Sequence, residues 1–106
     1  MGTSRIELFE QMLASEPDNA LVLFGLAKEY EKAGRHADVV AALTKYLQIF
    51  NDEGNAYGML AAAHERLGHR DAAREAYRRG IEVATAHGHP SMAEDYRMTL
   101  ENEYED

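Results

Sequence analysis

The 106-residue sequence contains no cysteine, no tryptophan and two prolines. Without cysteine there is neither a disulfide framework nor a thiolate-ligated zinc site. That fits a reducing compartment, and a cytoplasmic location is the expectation. No stretch approaches the ~20 apolar residues that a membrane span requires. The opening Met1-Gly2-Thr3-Ser4-Arg5 has no apolar run behind its basic residue, so it does not read as a secretory signal. Basic residues are also scarce: 11 Lys and Arg stand against 19 Asp and Glu, a net charge of −8. This balance argues against nucleic acid, whose binding depends on clustered cations that neutralise phosphates. Strand-like alternation is missing throughout.

What is present is helical periodicity. With 45% hydrophobic and 28% charged residues the chain reads as one globular domain. Ile6, Leu8, Phe9, Met12 and Leu13 recur at helical steps and predict a first helix over 4–16. Pro17-Asp18-Asn19 breaks it and offers caps to a second helix over 20–33, with Leu23, Leu26, Ala27 and Tyr30 on its buried face. A third helix over 37–50 carries Val39, Val40, Leu43, Tyr46, Leu47 and Phe50. After the turn 51–54, a fourth helix covers 55–67. A fifth covers 71–86 with Ala73, Tyr77, Gly80, Ile81 and Ala84 inward, and Gly88 stops it. The sixth, over 91–104, has a single stripe of Met92, Tyr96, Leu100 and Tyr104 on an otherwise charged surface. There Ser91 and Glu94 have the spacing of a capping box. Connections of two to five residues predict antiparallel helical hairpins, an all-α architecture.

The hairpins repeat. Leu26-Ala27-Lys28-Glu29-Tyr30-Glu31-Lys32-Ala33-Gly34 recurs as Leu60-Ala61-Ala62-Ala63-His64-Glu65-Arg66-Leu67-Gly68, one period of 34 residues further on. Glycine after such a stripe ends a helix in the left-handed conformation that other residues adopt at a cost. Small residues at Ala27, Ala61 and Ala73 let the backbones of a hairpin approach. Gly80 reads the same way, since a mid-helix glycine otherwise costs ~1 kcal/mol relative to alanine.

These residues and this period resemble the tetratricopeptide repeat, a 34-residue helix–turn–helix unit. Its large first-helix positions fall on Leu23 with Leu26 and on Tyr57 with Leu60, and its small position on Ala27 and Ala61. Its aromatic position falls on Tyr30 and then on His64. Phe9 and Met12 lie one period before Leu43 and Tyr46, so the first helix looks like the second half of a repeat. The resemblance implies a half-repeat at 4–16, repeats at 20–53 and 54–87, and a capping helix at 91–104, stacked as a short right-handed superhelix. Val39 and Tyr46 are bulkier than the family's usual residues, and prolines are absent after the third and fifth helices.

The resemblance also implies a function, that of a non-catalytic scaffold that holds a peptide or helix in a concave groove. The groove positions fall on Leu21, Phe24, Lys28, Glu31 and Lys32, then on Asn55, Gly58, Ala62, Glu65 and Arg66. Leu21 and Phe24 lie away from the main apolar stripe, and small Gly58 and Ala62 opposite them would leave an apolar trough. Three readings of Leu21 and Phe24 stand open: packing within the chain, a partner's groove, or self-association. Helix one, with Ile6, Leu8 and Leu13, would then be completed by another copy in a homodimer. The family subset that grips chaperone C-terminal carboxylates uses lysine and asparagine where this chain has Phe24 and Met59, so that activity is not expected.

Nothing points to catalysis or to a cofactor. His64 and Glu65 are neighbours on a helix and point ~100° apart, so they do not form a working pair. His87-Gly88-His89 lacks a third ligand in the pattern and reads as a helix stop, leaving a metal-dependent enzyme a remote alternative. No phosphate-cradling glycine loop is present. Arg70, Arg74, Arg78 and Arg79 form the densest basic cluster, and Asp71 and Glu75 beside them predict a solvated, internally paired face.

Overall fold

The computed structural model describes residues 4–104, which are all-helical apart from short turns. The chain divides into two compact units after Asn51. The first holds α1 (Arg5–Ser15), α2 (Ala20–Lys32) and α3 (His36–Ile49); the second holds α4 (Asn55–Arg66), α5 (Arg70–Ala86) and α6 (Pro90–Glu103). No helix end differs from its sequence expectation by more than one residue.

In the first unit, α1 packs on α2 and α2 on α3. The Ser4 hydroxyl caps α1 through the Glu7 amide at 3.1 Å, and the Asn19 side chain caps α2 through the Val22 amide at 3.2 Å. Helix α2 ends in a Schellman turn. Gly34 takes φ +73°, the Arg35 amide donates to the Tyr30 carbonyl at 2.9 Å, and Gly34 donates to Glu31. Ala27, Val39 and Leu43 have no exposure at all, and Val22, Leu23, Leu26, Tyr30, Ala42 and Tyr46 complete the core. Helix α1 contributes no fully buried residue, so it rests on this core rather than forming part of it. Phe50, expected as the last residue of the third helix, is instead the C-cap of α3 and is half exposed.

In the second unit, α4 pairs with α5 and α5 with α6. The core is built on small residues. Ala56, Ala61, Ala73 and Ala84 are wholly buried, and tyrosines supply the bulk that alanines lack. Asp52 is buried because its carboxylate accepts from the Gly54 and Ala56 amides at 2.8 and 3.0 Å, capping α4. The α4 and α5 ends repeat the Schellman bonds, His69 to His64 and His89 to Ala84, both 2.8 Å.

The entry to α6 departs from expectation. The helix begins at Pro90, whose fixed φ and missing N–H suit a first helical position, so Ser91 lies inside the helix. No side chain caps it, and Glu94 instead pairs with Arg97 at 2.6 Å.

Candidate functional site

Helix α2 places its three most relevant side chains one turn apart. Leu21 is 84% exposed. Phe24 is half-buried, its ring 5.1 Å from that of Tyr46, which in turn stacks on Phe50 at 5.2 Å. Lys28 extends back along the helix so that its ammonium lies 5.2 Å from the Phe24 ring centre. Glu31 is exposed, and Lys32 reaches Glu29 at 3.3 Å. An aromatic ledge with an exposed leucine and a cation therefore stands on the α2–α3 hairpin.

In the second unit Asn55 and Arg66 are exposed and Ala62 is half-buried. Gly58 and Glu65 do other work than their positions predicted. A Cβ at Gly58 would fall 2.6 Å from the Tyr96 hydroxyl, and one at Gly80 would fall 2.8 Å from the Tyr96 ring and 3.0 Å from the Tyr57 Cβ. The two glycines thus form a socket for Tyr96, and the hollow expected over Gly58 is filled by α6. Seated there, the Tyr96 hydroxyl donates to the Gly54 carbonyl at 2.9 Å. Glu65 accepts from Tyr77 and Tyr104 and belongs to the packing of α6. Burial, then the bond to Glu65, pushes the Tyr104 hydroxyl up to about 12.

The arginine cluster is exposed at Arg70, Arg78 and Arg79, as expected, but makes contacts that were not. Arg74 does pair with Asp71 at 3.7 Å. Arg70, however, donates to the Glu103 carbonyl at 2.7 Å and lies 4.6 Å over the Tyr104 ring, while Arg74 donates to the Tyr104 carbonyl at 3.3 Å. Both cations thus meet the open carbonyls at the α6 C-terminus, where the helix dipole is negative. Sequence offered no signal for this, because α5 and α6 are brought into register by packing.

His64, in the aromatic slot, is half-buried and its Nδ1 lies 3.3 Å from Nδ1 of His69. Burial, then the neighbouring His69, lowers its pKa. His89 meets Glu53 at 2.6 Å, and that bond holds the Glu53 carboxyl below its usual range. No cluster of three or more His, Cys, Asp or Glu among the described residues is placed to hold a metal ion. No helix among them is long and apolar enough to cross a membrane.

Helical hairpins closed by glycine turns at a 34-residue spacing, with wholly buried alanines at the close approaches, define a helical repeat protein. A tetratricopeptide-repeat family model matches residues 54–87. TPR repeat-containing protein PA0015 of Pseudomonas aeruginosa is 34% identical over 95 residues, 90% of either chain. The chain belongs to the tetratricopeptide-repeat family, whose members are in general non-catalytic modules for protein–protein interaction.

Proposed function

We propose that this chain is a scaffold that binds a peptide or helix of a partner protein through its first-helix faces. Its repeats are read as 20–53 and 54–87, with 4–16 a half-repeat and 91–104 a closing helix. The observation that carries the reading is Leu21, 84% exposed on α2 beside the half-buried Phe24 and the cation of Lys28. An isolated leucine needs no explanation, but one set against an aromatic ledge offers an apolar anchor site. On the first unit Lys28 and Lys32 would meet acidic groups of a partner, and on the second Arg66 would do the same. Phe24→Ala tests this: capture of partners from native lysate should weaken while the unfolding midpoint holds. A stability loss of ~3 kcal/mol or more would instead make Phe24 a core residue and sink the reading.

A second reading is self-association through α1, favoured by that helix having no buried residue and by Leu8 and Met12 at 48% and 43% exposure. Sedimentation at two concentrations separates the two, because a concentration-independent monomer eliminates the second.

A further inference from the structure

The Schellman turn that closes each helix ending in glycine does more than stop it. Its bond from the residue after the glycine to the carbonyl five residues earlier sets two side chains against each other. At the α2 end these are Arg35 and Tyr30, with the guanidinium 4.6 Å over the ring. At the α5 end the same backbone bond joins His89 to Ala84, and the His89 ring turns to Glu53 instead. At the α4 end both are histidines. The His69 amide donates to the His64 carbonyl at 2.8 Å, Gly68 takes φ +77°, and the two imidazoles face each other through Nδ1.

We propose that His64 and His69 form a two-histidine site for a borderline divalent metal ion, Zn²⁺ foremost, bound through both Nδ1 atoms. Two Zn–N bonds of about 2.0–2.1 Å at a tetrahedral angle put their nitrogens about 3.3–3.4 Å apart. The Nδ1 atoms of His64 and His69 are 3.3 Å apart. Imidazole suits Zn²⁺, and the turn already brings both rings together, so the ion need not gather its two ligands from apart.

Among the described residues neither ring has a carboxylate partner, and the inward nitrogens meet only each other. Without an ion, one Nδ1 must carry a hydrogen for the other to accept. With one, both present lone pairs and the protons sit on the outward Nε2 atoms. The rings are inclined at 46° with centres 5.5 Å apart, nearly head-on. Entry of the ion therefore tilts them until the lone pairs converge, a movement that exposed His69 can make. With two protein ligands, the remaining coordination positions go to water or to a donor from another molecule. The site is thus a binding site and not a closed structural centre.

Zn²⁺ titration of untagged protein tests this by calorimetry and by imidazole ¹⁵N spectra. One equivalent should bind, with the Nδ1 signals of residues 64 and 69 shifting together. His69→Gln should weaken binding at least ~10-fold, because the second imidazole acts at high effective concentration. Zn²⁺ should raise the melting temperature of the wild type more than that of the variant. His69 is exposed, so its variant keeps the fold, and His87→Gln, remote from the pair in sequence, should bind as the wild type does. Equal binding by wild type and His69→Gln, a shift at one ring alone, or no binding at millimolar Zn²⁺ would each overturn the proposal.

Discussion

The hydroxyl of Tyr104 donates a 2.7 Å hydrogen bond to the Glu65 carboxylate, across 39 residues of chain. Tyr77 donates to the other oxygen at 3.1 Å, so α4, α5 and the end of α6 meet at one carboxylate. Glu65→Ala leaves two largely buried hydroxyls without their acceptor and should lower stability by ~1–3 kcal/mol. Tyr104→Phe removes one bond and keeps the ring that Arg70 covers, so it should cost ~1 kcal/mol. Urea unfolding checks both through the midpoint, with the slope unchanged.

The same bonds predict sensitivity to alkali. Burial and a carboxylate acceptor raise Tyr104 to about 12, and burial with a bond to Glu10 raises Tyr30 to about 12. Tyrosine in the unfolded chain ionises near ~10. From there upward the unfolded state holds fewer protons than the native one, so stability falls as pH rises. The contribution is whole below pH ~10 and is lost as pH passes about 12. Unfolding midpoints of Tyr30→Phe and Tyr104→Phe followed across this range should fall less steeply than those of the wild type.

The glycine socket of Tyr96 yields a test of packing. Alanine at Gly80 gains ~1 kcal/mol of helix propensity. Its Cβ, however, would lie 2.8 Å from the Tyr96 ring and 3.0 Å from the Tyr57 Cβ, so the ring must leave its seat and the Tyr57 Cβ can yield only with its helix. Gly80→Ala should therefore be destabilising by ~1–3 kcal/mol net. Added to Tyr96→Ala it should cost much less than alone, a non-additivity that thermal unfolding of the double-mutant cycle would reveal.

On the acid side the contact to examine is Glu53 with His89. The bond to His89, then its charge, holds Glu53 below its ordinary value. A depressed carboxylate contributes stability above its unfolded pKa and loses it as pH falls through the folded one. Glu53→Gln should be less stable than the wild type near neutrality. The difference should close as pH drops below ~4.3, the ordinary range of a glutamate. Thermal melts at stepped pH would show the curves converging.

The helices and their stops were legible in the sequence because they depend on local terms. Asn19 caps α2 as expected, Gly34, Gly68 and Gly88 take left-handed φ, and Ala27, Ala61 and Ala73 are wholly buried. The Ser91–Glu94 capping box failed for an equally local reason, since Pro90 began the helix one residue earlier. Of the candidate groove, Leu21 was readable as an apolar residue off the buried stripe. The roles of Gly58 and Glu65 were not readable, because both depend on where α6 lands.

The sequence by itself determined the period, the six helices and the places where backbones come close. These follow from side-chain size and backbone conformation within a few residues. Only the tertiary structure decided which side chains meet across helices: Tyr96 in the Gly58–Gly80 socket, Tyr104 on Glu65, Arg70 on the end of α6. A helix's apolar stripe states that it must be covered, whereas the angle and depth of docking select the atoms that cover it. That selection is a property of the packed unit and of no single stretch of chain.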